Sequence, residues 1–370
     1  FGTKVRDVFN LTNHPNYTGG ATVRFGSYTD QMKAEAVRLY DELGASNKTR
    51  SFDLGNVQDY TNIGVSTMMI NDGTTSKNYG NWMHSNGNEM DLHKADTDAF
   101  LRDMKASYKK LKNDDPRHVL IDPVLGGTEV SSLNWLDELY RAGNGIETKM
   151  NFDALDAHFY CKSVDEQIPG LASGVPEILF KKIQSVRNVM KKYHDEDKPI
   201  VCTEIGFITS DKPGYQPALD YETQRDYVVR AYHIMISQGI SEVWYYNFHD
   251  DGPDINYTEH NYGLIDYFGT AKPAYYGYYN MYQQLRNTEF LGQLSGVSNP
   301  YYGCEYFDEQ KNKHISVIWN AAGQDKTMRF ETVSGKDEGI EVISSDGGFS
   351  YLKTENGEAS VTIGSTPVYL

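Results

Sequence analysis

Apolar residues recur along this chain in two alternating rhythms. Met32, Ala36, Leu39, Tyr40 and Leu43 form a helical stripe within 29–43, and Gly44 follows where a left-handed cap is expected. Leu101, Met104, Tyr108 and Leu111 form a second stripe within 96–111. Leu133, Leu136 and Leu139 make a third within 131–142, closed by Gly143. Leu179, Ile183, Val186 and Met190 make a fourth within 177–193, and Val228, Ala231 and Met235 a fifth within 223–238. Between and before these helices lie apolar runs of strand length at 48–54, 64–70, 81–87, 118–122, 152–160, 200–207 and 242–248, with a weaker one at 5–9. Strands alternating with amphipathic helices specify βαβ units and parallel pairing.

Eight such units in about 285 residues predict an α/β fold, a closed (β/α)8 TIM barrel. The alternative, an open doubly wound sheet, is disfavoured because no glycine-rich phosphate loop follows the first strand. Beyond the barrel the helical rhythm stops. Short strands punctuated by Gly, Asp and Asn predict a small antiparallel β-sandwich. The expected domains are therefore 1–287, the barrel, and 288–370, the sandwich.

Charge narrows the partners. With 35 basic and 51 acidic residues the chain carries −16, which repels phosphate backbones and argues against nucleic acid. No apolar run reaches the length of about 18 residues that a membrane span requires. The first twenty residues lack an apolar signal core, and an opening at Phe1 suggests a processed or trimmed chain. Cys161, Cys202 and Cys304 form neither a disulfide framework nor a zinc motif, so no metal is expected. The 28 tyrosines suit either sugar faces or an aromatic core.

In a β/α barrel, chemistry gathers at the C-terminal ends of the strands. The fourth strand runs into Gly87-Asn88-Glu89-Met90-Asp91 and the seventh into Cys202-Thr203-Glu204-Ile205-Gly206. Three β/α units separate them, so the two glutamates can face each other across the mouth. Paired carboxylates perform glycoside hydrolysis: one donates a proton to the leaving oxygen, and the other attacks or activates water. Either glutamate could instead cap the following helix, and spacing alone leaves both readings open. His158 reads as a core histidine or a site residue. Trp244 and Tyr246 share strand parity and suit either sugar stacking or barrel packing. Asp122-Pro123 and Gly126-Gly127 could line the cleft, and the acidic loop from His249 to Glu259 reads as solvated.

These motifs, in this order, resemble those of the clan A retaining glycoside hydrolases. Gly-Asn-Glu-Met-Asp at 87–91 is similar to their acid/base motif, although Met90 stands where many relatives carry proline. Thr203-Glu204-Ile205-Gly206 is similar to the strand bearing their nucleophile, and His158-Phe159-Tyr160 to the end of their sixth strand. Trp244-Tyr245-Tyr246, Tyr262 to Asp266, Lys272 to Tyr275 and Gly364 to Tyr369 resemble the later segments. The resemblance implies that Glu89 is the acid/base and Glu204 the nucleophile, held ionised by Tyr160 beside His158. It implies that Asn88 binds the sugar 2-hydroxyl, that Trp244 and Tyr246 floor the subsite, and that Arg50 is the sugar-site arginine, a role for which Arg24 competes.

The implied activity is double-displacement cleavage of a β-linked polysaccharide or oligosaccharide, of xylan, mannan, glucan, galactan or agar type. The carboxyls would then lie about 5–5.5 Å apart. No metal or organic cofactor is needed, and a secreted, periplasmic or cell-surface location is expected. A non-catalytic carbohydrate-binding protein on the same barrel is the alternative. The acidic chain favours a neutral glycan, unless Arg24, Arg50, Lys48 and Lys162 converge at the mouth.

Overall fold

The computed structural model describes residues 5–11, 29–43, 48–51, 67–70, 83–145, 149–332 and 334–370. Eight parallel strands form one sheet: β1 (Phe9–Leu11), β2 (Lys48–Ser51), β3 (Thr67–Ile70), β4 (Met83–His84), β5 (Val119–Leu125), β6 (Ala154–Ala157), β7 (Ile200–Ile205) and β8 (Ile240–Tyr245). Their order is β1-β8-β7-β6-β5-β4-β3-β2. The end strands β1 and β2 touch, so the sheet curls into the expected (β/α)8 barrel.

Helices α1 (Asp30–Glu42), α2 (Thr97–Asp114), α3 (Val130–Ala142), α4 (Leu179–Lys192), α5 (Tyr221–Ser237) and α6 (Pro273–Leu285) are the described α-helices. Local chemistry sets their starts. Asp96 accepts the Ala99 amide at 2.8 Å at the head of α2, and Asp220 accepts that of Thr223 at 2.6 Å at the head of α5. The stripe Phe100, Leu101, Met104 and Leu111 of α2 is buried against the sheet. Inside the barrel, Met83, Ile121, Val124, Ala154, Val201 and Trp244 form a separate apolar plug. Among the described residues ten tyrosines, Tyr40, Tyr140, Tyr193, Tyr232, Tyr245, Tyr262, Tyr275, Tyr278, Tyr306 and Tyr369, are wholly buried, so much of the tyrosine content is core.

Three elements differ from expectation. Residues Val5–Val8 form a 3-10 helix, and the first strand begins only at Phe9. Strand β5 continues through Pro123 to Leu125; its pairing with β6 shifts register between Ile121 and Val124, which accommodates a residue with no N–H. Helix α6 was not anticipated, although Ala274, Tyr278, Met281 and Leu285 form its buried stripe, because tyrosines at 275, 276, 279 and 282 blur the edge of that face and Gly277 interrupts it. That glycine is needed: a Cβ there would stand 2.6 Å from Arg225 Cγ on α5.

After Leu285 the chain turns into antiparallel strands β9 (Thr288–Gln293), β10 (Tyr301–Asp308), β11 (Lys313–Asn320), β12 (Lys326–Glu331), β13 (Gly339–Ser344), β14 (Phe349–Lys353), β15 (Glu358–Ile363) and β16 (Val368–Tyr369). Six form a sheet in the order β14-β13-β16-β11-β10-β9, and β12 pairs with β15. Ile318, Val361, Ile363 and Val368, backed by Met328 and Phe330, fill the space between the two sheets. This unit covers α5, which is why that helix buries Arg225, Arg230 and His233 as well as its apolar residues.

Two of the junction's contacts are deeply buried. Arg230 pairs with the fully buried Glu177, which also accepts the Trp319 indole N–H at 2.7 Å. His233 lies between the hydroxyls of Tyr306, at 2.7 Å, and Tyr369, at 3.1 Å. All three cysteines are buried free thiols. Among the described residues no helix is long and apolar enough to cross a membrane.

Candidate active site

The C-terminal ends of β4, β6 and β7 converge on one cluster. Glu89 follows β4 in a turn that holds it at φ +53°, in the left-handed region uncommon for a residue with a Cβ. The turn is anchored on β5: Met90 N–H donates to Val124 O at 3.3 Å, and Asp91 accepts the Gly126 amide at 2.8 Å. Gly126 is required there, because a Cβ would meet the Cβ of Glu89 at 2.9 Å.

His158 leaves the end of β6 with its ring buried. Its Nδ1 lies 3.0 Å from Glu89 Oε1 and 3.5 Å from Glu204 Oε2. Its Nε2 lies 3.2 Å from the Thr203 hydroxyl, which in turn bonds to Asp156. Glu204, at the end of β7, accepts the Tyr160 hydroxyl at 3.1 Å. Burial, and then the charge of Glu204, push the Tyr160 phenol far up, so it remains a donor. Directly after the seventh strand, Gly206 lets β8 approach: a Cβ there would overlap Tyr246 O at 1.8 Å.

One side-chain atom from each of Glu89, His158 and Glu204 lies within 4.8 Å of the other two. The nearest oxygens of the two carboxylates therefore approach within 4.8 Å, close enough for both groups to act about one anomeric carbon. Both remain reachable, with side chains 25% and 12% exposed. Three such groups could also hold a divalent cation; the hydrogen bonds from Tyr160 and along Thr203–His158 favour a proton-handling site.

The other expected site residues divide. Asn88 is half-buried in the turn before Glu89. Tyr246 is half-buried at the mouth, packed edge-on to Tyr262 at 5.4 Å, with its hydroxyl donating to Asp251 at 3.0 Å. Trp244 is not brought to the site. It shares the parity of Tyr246 but lies two residues deeper, in the barrel plug, with no exposed surface for a sugar to stack on. The backbone of Arg50 lies in β2, its side chain is outside the described residues, and Arg24 lies wholly outside them.

Asp122 does not line the cleft: it is buried beneath it, accepting the Asn86 amide at 3.1 Å, and burial pushes its carboxyl up to about 7. Nor is the acidic loop wholly solvated. Asp250 is buried against the Lys272 ammonium at 2.7 Å.

Sequence reasoning missed Tyr215, which is 41% exposed beside the site. Its hydroxyl lies 2.7 Å from that of Tyr262 and its ring meets Tyr160 edge-on at 6.0 Å. It comes from an irregular loop after β7, where no periodicity marks it. Lys162 is tied to Glu129 at 2.6 Å, and Glu259 lies within electrostatic reach of Glu204 and Glu89.

No protein-family profile matches the chain, and no curated protein matches it in sequence. Solved structures do match it in shape, and the fold they share with it is the barrel and β-domain of clan A glycoside hydrolases. A family 39 glycoside hydrolase from Bacteroides cellulosilyticus WH2 superposes with a TM-score of 0.67 at 16% identity, over 100% of this chain and 82% of its own. A family 51 arabinofuranosidase from Xanthomonas axonopodis pv. citri gives 0.68 at 10% identity, over 99% and 96%. A glucosidase from Croceicoccus marinus gives 0.65 at 12%, over 99% and 95%.

Proposed function

We propose that this protein is a retaining glycoside hydrolase acting on a neutral, β-linked polysaccharide or oligosaccharide. The observation that carries the reading is the close approach of Glu89 and Glu204 about the His158 ring, at the ends of the fourth and seventh strands. Glu204 attacks the anomeric carbon while Glu89 transfers its proton to the departing oxygen, leaving a glycosyl ester on Glu204. Glu89, now ionised, takes a proton from water, whose oxygen displaces Glu204 from the same carbon and regenerates both groups. Tyr160 donates to Glu204 throughout and keeps its carboxylate oriented. Asn88, beside the acid, is assigned to the 2-hydroxyl. Tyr246 and Tyr215 supply aromatic faces to the sugar.

Charge at the mouth supports a neutral chain. Lys162 is neutralised by Glu129, while Glu259, Asp251 and the two glutamates make the described rim acidic. A secreted or cell-surface setting accords with a polymeric substrate.

The test is a panel of xylan, mannan, glucan, galactan and agar-type polymers with their sulfated counterparts. Release of reducing ends is read for the wild type and for Glu204→Gln, and the first-formed anomer is followed by proton NMR. The reading requires turnover that Glu204→Gln abolishes, with the anomeric configuration retained. An inverted anomer overturns the mechanism, and binding without release would make this a carbohydrate-binding protein. Preference for a sulfated chain, weakened by salt, would overturn the neutral substrate.

A further inference from the structure

We propose that Asp156 and Thr203 are positioning residues which, acting through His158, fix where the proton of Glu89 resides. Donor accounting carries the argument. Thr203 has one hydroxyl proton, and Asp156 accepts from it twice: the backbone N–H at Oδ1, 3.0 Å away, and the hydroxyl at Oδ2. With Asp156 ionised, the Thr203 oxygen therefore presents only lone pairs to His158 Nε2 at 3.2 Å, and Nε2 carries a hydrogen. That leaves Nδ1, 3.0 Å from Glu89 Oε1, as the one position on the ring whose proton is free to move. At that distance the two atoms share a single proton, which resides on the carboxyl or on the ring.

The consequence rests on the hydrolase reading. The shared proton is the one Glu89 gives to the leaving oxygen. Once it has gone, the Nδ1 lone pair faces an ionised Glu89, which strengthens Glu89 as the base that deprotonates water in the second step. Neither Asp156 nor Thr203 touches the substrate, and both are buried. The charged and titratable groups facing His158 are Glu89 from the turn after β4, Glu204 from β7, and Tyr160 and Asp156 from its own segment, with Asp122 of β5 beside Asp156.

The experiment is nitrogen-15 NMR on histidine-labelled protein, with His158 assigned by its loss in His158→Gln, alongside pH profiles of kcat/KM. In the wild type, Nε2 should remain protonated from about pH 5 to 8. In Asp156→Asn the amide donates to Thr203, whose hydroxyl then turns to Nε2; in Thr203→Val the acceptor is gone. Both variants should move the ring proton to Nδ1, stabilise ionised Glu89, and lower the basic limb of kcat/KM by about one pH unit. Thr203→Ser should keep the wild-type tautomer and limb. An unprotonated Nε2 in the wild type overturns the proposal, whether or not the variants fold. So does an unchanged tautomer in both folded variants. Absence of turnover on every glycan would sink the hydrolase reading, while the spectrum would still decide the relay.

Discussion

Two buried histidines in this molecule have opposite surroundings. His233, on α5, lies between two tyrosine hydroxyls at the junction with the β-domain, and burial pushes its imidazole down to about 3. It is a neutral pin. His158, equally buried, lies between a threonine hydroxyl and two carboxylates that reach solvent. Burial is common to both. What differs is whether the partners can exchange protons with a bound molecule, and that alone separates a joint from a site.

The comparison can be broken on either side. The largest effect belongs to the site: Glu204→Gln should lower turnover by about four orders of magnitude or more. Its thermal midpoint should barely move, because glutamine keeps the shape of Glu204 and still accepts from Tyr160. A turnover loss matched by unfolding would erase the contrast.

On the junction side, Arg230→Met strands the carboxylate of Glu177 without its cation, and should lower unfolding free energy by about 3–5 kcal/mol in a denaturant titration. Rate per folded molecule should not change.

His233→Phe should cost about 2 kcal/mol at neutral pH by leaving two tyrosine hydroxyls without their partner. It should also change the pH dependence. The unfolded chain takes up a proton at His233 near 6.5, the ordinary value for an imidazole, while the folded chain refuses it until about 3. The wild type therefore keeps this stabilisation above 6.5 and loses it as pH falls toward 3, by about 1.4 kcal/mol per unit. Unfolding measured across that window should show the slope diminished by one proton in the variant.

Tyr160→Phe removes a donor to a carboxylate, and should lower kcat about 10–100-fold with little change in melting. Smallest of all, Trp244→Phe should leave KM within about twofold, since the ring belongs to the barrel plug. A larger change in KM would return Trp244 to the subsite.

Legibility in the sequence followed what periodicity can encode. The barrel could be read because stripes such as Leu101–Met104–Leu111 and runs such as 200–207 each report one buried face. Glu89 and Glu204 were legible because strand ends are positions that a pattern can count. Trp244 was not, since parity gives the face of a strand but not the depth along it, and two residues separate the plug from the mouth. Helix α6 was hidden because its tyrosines pack on both the barrel and α5. Tyr215 and the Asp156–Thr203 link depend on loop paths and on cross-strand contacts, neither of which leaves a local signal.

Closure of the barrel has a consequence for how this chain is made. Phe9 pairs with Val243 and stacks on Tyr232, and the hydroxyls of Tyr232 and Tyr278 both reach Asn10 O. During synthesis β1 is therefore the first barrel strand made, and its hydrogen-bonded partner β8 follows only when almost the whole barrel has been translated. A ribosome paused anywhere before β8 holds a sheet with two open edges and an unclaimed phenylalanine, the form in which such a chain is most exposed to association with another copy of itself.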